Sequence, residues 1–197
     1  SAASDVYKRQ VDDDPQLCGN MDLFIEALPD SSIIIQAGAT NTGIPMHRIG
    51  PDGTRIWDGL LIDQWIGGTG AVHGLPGGDV LIGGNAGQSQ FIMRVGLDGT
   101  ALWTSEIPTA TTANRRTLAV IPDDEGGVFA IYDMPLSYTR RIDAVHVDSS
   151  GVPTWTEPLN VVPPDPSSSR HTDPVAVSDG EGGVVVVFTE GSEQAST

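Results

Sequence analysis

Basic residues and cysteine are scarce in this chain. Ten lysines and arginines stand against 26 aspartates and glutamates among 197 residues, which leaves a net charge of −16. We expect no nucleic-acid partner, because a phosphate backbone is bound through basic side chains. The acidic balance suits solubility or a cation-rich environment. Cys18 is the only cysteine, so no disulfide framework is predicted within the chain.

Long apolar runs and helical periodicity are also missing. The longest apolar runs, such as Ile33 to Ile35 and Val184 to Phe188, are too short to cross a bilayer as a helix. No stretch sustains a period of 3.6 residues. The sequence therefore predicts no membrane span and very little helix.

The sequence shows no pattern typical of a catalytic, metal or cofactor site. Glycine-rich Gly83 to Gly87 lacks the strand–loop–helix context of a phosphate site. The acidic runs Asp12 to Asp14 and Asp123 to Glu125 lack the ligand spacing of a calcium loop, and we interpret them as solvated. The histidines show no metal-ligand spacing; they are His47, His73, His146 and His171. No catalytic residue, metal or cofactor is predicted.

The first ten residues stand apart from the rest. SAASDVYKRQ, Ser1 to Gln10, is similar to one translated reading frame of a transposon-type sequencing adapter. We interpret it as foreign, of metagenomic origin, and exclude it from the fold prediction. Under this interpretation the chain is a fragment whose signal peptide is not observable. The chain's only lysine, Lys8, lies in this segment.

Glycine and proline are abundant, with 24 and 14 residues, which favours short strands joined by tight turns. A turn followed by a tryptophan occurs three times, with the tryptophans 46 and 52 residues apart. The copies are Asp52-Gly53-Thr54-Arg55-Ile56-Trp57, Asp98-Gly99-Thr100-Ala101-Leu102-Trp103 and Ser150-Gly151-Val152-Pro153-Thr154-Trp155. This regular spacing indicates an internal repeat.

A second pattern supports the same repeat. A turn rich in proline, glycine, aspartate or serine precedes an apolar strand four times, and those strands begin 47, 48 and 56 residues apart. Their first residues are Ile33, Val80, Val128 and Val184. Two independent patterns thus keep one order and nearly one period.

Each repeat predicts four short strands. In the second repeat they lie near 71–75, 80–82 and 91–95 and through Trp103. The Asp-Gly turn suits a hairpin with glycine in the left-handed conformation, and the second strand is apolar on both faces, as in a strand between two sheets. In the third strand one position holds His47, Met93 and Val145, and the next holds Arg48, Arg94 and His146.

A four-stranded unit of this length has the size of a propeller blade. The fold-class prediction is therefore all-β: a partial β-propeller of about three and a half four-stranded antiparallel blades. A β-solenoid needs shorter repeats, and tandem sandwich domains need about twice the length. After a leading segment at 11–22, we place blades at 23–66, 71–109 and 117–162, a linker at 163–172 and a partial blade at 173–197. Missing blades of the same chain are expected beyond both ends.

Three segments carry a family resemblance. RIGPDGTRIWDG, IDAVHVDSSGVPTWTEPLNV and AVSDGEGGVVVVFTE resemble the tandem repeats of bacterial secreted propellers, and the DGTxxW turn is similar to repeats of quinoprotein-like propellers. The resemblance implies a propeller fold and an extracellular or cell-surface location. It is unspecific for activity, and the adjacent cysteine pair of quinoprotein dehydrogenases is absent.

The turn and tryptophan positions are interpreted as structural repeat positions. A tryptophan that recurs at one repeat position typically packs between blades. Trp65 lies outside the repeat register, in a glycine-rich connection, and is the ligand-contact candidate. The adjacent pairs Arg115-Arg116 and Arg140-Arg141 are interpreted as internal salt-bridge partners. The structural positions are Asp52, Gly53, Trp57, Asp98, Gly99, Trp103, Gly151 and Trp155.

These observations favour a non-catalytic binding or structural module that presents loops to protein or polysaccharide. The alternative is a fragment or accessory module of a propeller enzyme. The adjacent cysteine pair expected of a quinoprotein-type dehydrogenase is absent from this sequence. For a sialidase-like hydrolase, Asp52 and Trp57 keep the Asp-box distance, but the glycine stands at the wrong step. A plain scaffold without a ligand is the third hypothesis.

Overall fold

A computed structural model describes residues 24–36, 45–60, 71–86, 89–107, 116–136, 139–162 and 169–192. These residues form fourteen β-strands and no helix. All pairings between the strands are antiparallel and join neighbours in the sequence. The chain is thus a series of meanders, as the short apolar strands and frequent turns predict.

The first two sheets each contain four strands. The first consists of β1 Phe24–Ala27, β2 Ile33–Gln36, β3 Pro45–Ile49 and β4 Arg55–Leu60. The second consists of β5 Val72–Gly74, β6 Val80–Ala86, β7 Ser89–Val95 and β8 Ala101–Ile107. Both keep the strand order of the sequence.

The third sheet has four strands and the fourth has two. The third consists of β9 Arg116–Pro122, β10 Val128–Leu136, β11 Thr139–Val147 and β12 Leu159–Val162. The fourth consists of β13 Ser169–Ser178 and β14 Val184–Ser192. β13 thus begins inside residues 163–172, which we predicted to be a linker.

The Asp-Gly turns have the predicted backbone. Gly53, Gly99 and Gly151 have φ angles of 83°, 83° and 88°, in the left-handed region that glycine adopts without steric cost. At the first turn Gly50 donates its N–H to the carbonyl of Thr54, and Gly53 donates to the carbonyl of Gly50. The prediction of left-handed glycines in these hairpins is confirmed.

The sheets pack face to face, and alternate side chains of one strand contact different neighbouring sheets. Along β6, Val80 and Ile82 belong to the apolar cluster shared with the first sheet, whereas Leu81 belongs to the cluster shared with the third. Along β10, Ala130 belongs to the cluster shared with the second sheet and Ile131 to the cluster shared with the fourth. Because successive side chains of a strand point to opposite faces, one apolar strand bridges two interfaces.

The four sheets therefore form a partial β-propeller, as predicted. The turns between the first and second, and between the third and fourth, strands of each sheet lie at one end, which we call the turn end. The remaining connections leave from the other end, which we call the loop end. Turns of neighbouring sheets contact one another at the turn end, where Arg48 of the first sheet donates a hydrogen bond to the carbonyl of Gly78 in the β5–β6 turn.

Candidate functional site

The turn end of the first sheet holds an ion pair whose guanidinium is buried and whose carboxylate is partly exposed. Arg48, on β3, has no exposed surface. Its Nη2 donates to Oδ2 of Asp30 at 2.8 Å, its Nε donates to the hydroxyl of Ser32 at 3.0 Å, and its Nη1 donates to the Gly78 carbonyl at 2.7 Å. A buried guanidinium needs such partners because desolvation is costly. Arg48 thereby ties the β1–β2 turn to the next sheet.

The second and third sheets repeat this contact. Arg94, on β7, donates to Oδ2 of Asp79 through Nε at 2.9 Å and pairs with it through Nη2 at 2.8 Å. In the third sheet the same strand position holds His146, whose Nε2 lies 2.7 Å from Oδ2 of Asp123. Each third strand thus carries a basic side chain that binds the turn between the first two strands of its own sheet.

The acidic partners come from different positions of that turn. Each turn has five residues and is closed by a hydrogen bond from the N–H of the first to the carbonyl of the fifth. The aspartate is the third residue in Asp30, the fifth in Asp79 and the first in Asp123. An alignment of the repeats identifies the position of the basic side chain. It does not identify the acidic partner, because the three aspartates occupy different positions of the turn sequence. The recurrence of Arg48 and Arg94 at one position was the available signal.

Asp123 differs from the expectation of a solvated turn tip. Its side chain is only 8% exposed, and its Oδ1 accepts hydrogen bonds from the N–H groups of Glu125 and Gly127. Burial alone would raise the pKa of Asp123, but the hydrogen bonds from His146, Gly127 and Glu125 outweigh it and hold the pKa below its ordinary value. Asp123 is thus the ionised anchor of the His146 contact.

His146 also contacts a hydroxyl. Its Nδ1 lies 2.7 Å from Oγ1 of Thr154, so the imidazole stands between a hydroxyl and a carboxylate. The rings of Phe129 and Trp155 pack nearby, with centroids 4.5 Å and 6.0 Å from the imidazole. The set resembles the hydrogen-bond order of a nucleophile, a base and an orienting acid, but it occupies the position of the structural pairs in the first two sheets.

The repeated tryptophans pack against the turns of the following sheet. A Cβ added at Gly99 would lie 3.0 Å from Cγ of Trp57, and one added at Gly151 would lie 3.0 Å from Cγ of Trp103. The absence of a side chain at these two glycines therefore allows each turn to lie directly on an indole ring. Trp57 is buried, and Trp103 is partly buried against the apolar cluster between the second and third sheets.

The aspartates of these turns fix the turn itself. Oδ1 of Asp52 accepts hydrogen bonds from the N–H and the hydroxyl of Thr54, at 3.0 Å and 2.7 Å, and Asp98 makes the same pair with Thr100. The hydroxyl and then the N–H of the threonine hold the pKa of each carboxyl below its ordinary value. Asp-Gly-Thr is therefore a self-contained turn motif.

Polar side chains are buried at the loop end of the third sheet, near its interface with the second sheet. Thr117 and Asp143 flank Tyr132 across three neighbouring strands of the third sheet, and all three are buried. Oδ2 of Asp143 accepts hydrogen bonds from Nε and Nη2 of Arg141 at 3.0 Å and 2.6 Å. Arg141 is thus an internal salt-bridge partner, as the sequence indicated.

The other candidates are distributed as follows. Trp65, the ligand-contact candidate, lies outside the described residues, as do Cys18 and the run Asp12 to Asp14. The structural repeat positions Asp52, Gly53, Asp98, Gly99 and Gly151 lie in the turns of the turn end, whereas Trp57 and Trp103 lie on β4 and β8 and Trp155 precedes β12. In the part of the chain that the structure describes, no three histidine, cysteine, aspartate or glutamate side chains are grouped to hold a metal ion. A search of the same residues finds no helix long and apolar enough to cross a membrane.

Comparisons with known proteins find a likeness among solved structures only. No protein-family model matches the chain, and no curated protein matches it. Among solved structures, it is similar to the endo-arabinase from Bacteroides thetaiotaomicron, with a TM-score of 0.46 and 12% sequence identity. The alignment covers 89% of this chain and 72% of that one.

Proposed function

We propose that this chain is a non-catalytic binding or structural module of a secreted or cell-surface bacterial protein, and that its loop end binds protein or polysaccharide. The observation that supports this most directly is the contrast between the two ends. At the turn end, seven turns share a five-residue core, and in three sheets a turn aspartate pairs with a basic side chain on the third strand of its own sheet. The turn end is therefore a structural feature that each repeat shares.

The connections at the loop end vary instead. They contain 8, 11, 2, 8, 2 and 6 residues between successive strands from β2 to β13. Variable connections on a rigid sheet scaffold are where proteins place binding residues. Trp65 lies in the longest of them, and an indole offers an apolar face to a sugar ring or an apolar side chain. Nucleic acid is disfavoured by the net charge of −16.

Affinity electrophoresis of the full chain through gels that contain a panel of soluble polysaccharides tests this proposal. A bound polysaccharide retards the chain, and we expect Trp65→Ala to weaken that binding about tenfold, since a central aromatic contact contributes 1–2 kcal/mol or more. Val152→Ala is the matched control, because Val152 is an exposed apolar side chain at the turn end. Equal loss in both variants would contradict binding at the loop end.

The enzyme alternative gives a different result in the same samples. A fragment of a glycoside hydrolase would release reducing ends from the retarding polysaccharide, whereas a binding module releases none. Capture of a protein ligand on immobilised chain, lost with Trp65→Ala and kept with Val152→Ala, supports the protein version of the proposal. Release of reducing ends above the buffer rate would overturn the non-catalytic assignment.

A further inference from the structure

The fourth sheet has two strands where the others have four. β13 pairs with β14, and within the described residues the second edge of β14 pairs with no strand. The corresponding edges of β6 and β10 pair with β7 and β11. An unpaired edge presents N–H and C=O groups that a further strand can bind.

The β13–β14 turn holds an aspartate that pairs with no described basic side chain. Asp179 is the first residue of this turn, as Asp123 is of the β9–β10 turn. Its Oδ1 accepts hydrogen bonds from the N–H groups of Glu181 and Gly183, both at 2.8 Å, and these bonds hold its pKa below the ordinary value. Among the described side chains no basic group contacts Asp179, whereas the other three turns each bind one from the third strand of their sheet.

Among the turn glycines that the structure describes, none lies against Trp155. Trp57 and Trp103 each lie under the turn between the third and fourth strands of the next sheet. Trp155 holds the same position of the third repeat and packs in the cluster shared with the fourth sheet. The strands that would carry its turn are the two that the described fourth sheet lacks.

We propose that the free edge of β14, Asp179 and Trp155 form one docking site for a β-hairpin of this repeat's own third-and-fourth-strand type. The first strand of the hairpin pairs with β14, its basic side chain binds Asp179, and its turn glycine covers Trp155. The partner's chemistry follows from the three complete sheets: a strand with an arginine or histidine, followed by a turn with a glycine at positive φ. The site is independent of what the loop end binds.

The chain itself supplies a probe. A synthetic peptide with the sequence of residues 89–107 spans β7 and β8 and contains Arg94 and Gly99. We expect saturable binding to the full chain by calorimetry, and amide hydrogen exchange of β14 slowed about tenfold by the new ladder. Asp179→Asn in the chain should weaken binding at least about fivefold, since a charge-assisted contact is replaced by a neutral one.

Two controls make the peptide result specific. Asp52→Asn alters another exposed turn aspartate, far along the chain from Asp179, and should leave peptide affinity unchanged. A scrambled peptide should not slow exchange of β14. If the scrambled peptide binds equally well, or if Asp52→Asn and Asp179→Asn weaken binding alike, the proposal is wrong.

Isolated hairpins are marginally stable in water, so a second experiment places the hairpin in the same chain. The sequence of residues 89–107 is appended after Thr197, and a matched version carries Arg94→Glu and Gly99→Val within the appended copy. We expect slower exchange of β14 and a higher melting temperature with the first extension only. Equal exchange and melting in the two extended chains, together with no binding of the peptide, would overturn the proposal.

Discussion

At Gly99 both the backbone conformation and the packing require glycine. Its φ of 83° favours glycine, and its Cα faces the indole of Trp57. Alanine there must adopt a left-handed conformation, at a cost of about 1–2 kcal/mol, and its Cβ must also displace the ring, at a cost of about 1–3 kcal/mol. We expect Gly99→Ala to lower the free energy of unfolding by about 2–5 kcal/mol, measured by urea denaturation.

Gly180 separates these two costs. Its φ of 80° matches that of Gly99, but a Cβ there would meet no atom within 4 Å. Gly180→Ala should therefore show the backbone cost alone, about 1–2 kcal/mol. If Gly180→Ala destabilises as much as Gly99→Ala, the indole contributes nothing to the need for glycine.

The Arg48 and Arg94 pairs use the same chemistry at different depths. Arg48 has no exposed surface, whereas the side chain of Arg94 is partly exposed. Arg48→Met removes the donor to the Gly78 carbonyl, to the buried Ser32 hydroxyl and to Asp30, whose side chain is 41% exposed. We expect a loss of about 2–3 kcal/mol, because a buried polar group that loses its partner costs about 1–3 kcal/mol, whereas solvent screens the carboxylate. Arg94→Met should cost about 1 kcal/mol or less, because solvent screens the pair. Thermal unfolding of both variants measures the difference, and equal shifts would contradict it.

Among the elements, the turns were the most predictable from sequence. Asp52-Gly53-Thr54 contains its own hydrogen-bond donors and acceptors, so its conformation follows from three neighbouring residues. The apolar second strands were predictable for a related reason, because a strand between two sheets must be apolar on both faces. Local chemistry determines both features.

Contacts that depend on distant geometry were not predictable. The sequence indicated a basic position in the third strand, but Asp30, Asp79 and Asp123 occupy three different turn positions, so no fixed spacing identifies the pairs. The fourth strand of the third sheet also differs from the repeat pattern. Trp57 and Trp103 lie on β4 and β8, whereas the segment containing Trp155 joins the sheet first through an isolated bridge at Pro153, with β12 beginning only at Leu159.

Proline explains that difference. Pro153 and Pro158 flank Trp155, and neither can donate a ladder hydrogen bond. Thr154 supplies the remaining contact by donating its N–H to the carbonyl of His146 at 2.9 Å. The fourth strand is therefore interrupted where the first two repeats are continuous.

The turn aspartates make the elements sensitive to acid. Hydrogen bonds from neighbouring hydroxyl or N–H groups hold the pKa of each below its ordinary value of 3.8. Asp52, Asp98 and Asp179 are exposed members of this set, and Asp148 is partly exposed. A lowered folded-state pKa stabilises the fold above the unfolded value, and this contribution is lost as pH falls through the folded value. We expect the urea midpoint to be level near neutral pH and to fall below about pH 4.

Asp98→Asn tests the contribution of one turn. The amide keeps an oxygen near the N–H of Thr100 but has no proton to gain, so the loss of stability between about pH 6 and pH 3 should be smaller than in the unmodified chain. Glu157→Gln, which alters an exposed acid outside the turns, is the control. An equally steep loss in Asp98→Asn would contradict the assignment.

At the scale of the whole described structure, one face of the fourth sheet is apolar and exposed. Val175 pairs with Val187 and Val177 with Val185 across the fourth sheet, and these side chains are 47–63% exposed. Val185 corresponds to Leu81 and Phe129 in the second strands of the preceding sheets, and Leu81 is buried against the sheet that follows. An exposed sheet face of this kind favours association.

The net charge of the chain opposes that association. A charge of −16 makes copies of the chain repel each other, and salt screens this repulsion over about 10 Å at 0.1 M. We expect the mean mass from light scattering to rise with protein concentration and to rise further in salt, because screening leaves the valine contact intact. The double variant Val175→Thr, Val187→Thr should remain closer to the monomer mass, whereas Val152→Thr, which alters an exposed valine at the turn end, should not differ from the unmodified chain. A chain that stays monomeric at about 100 µM in high salt would show that this face needs no partner, since apolar association that electrostatic repulsion restrains must increase when the repulsion is screened.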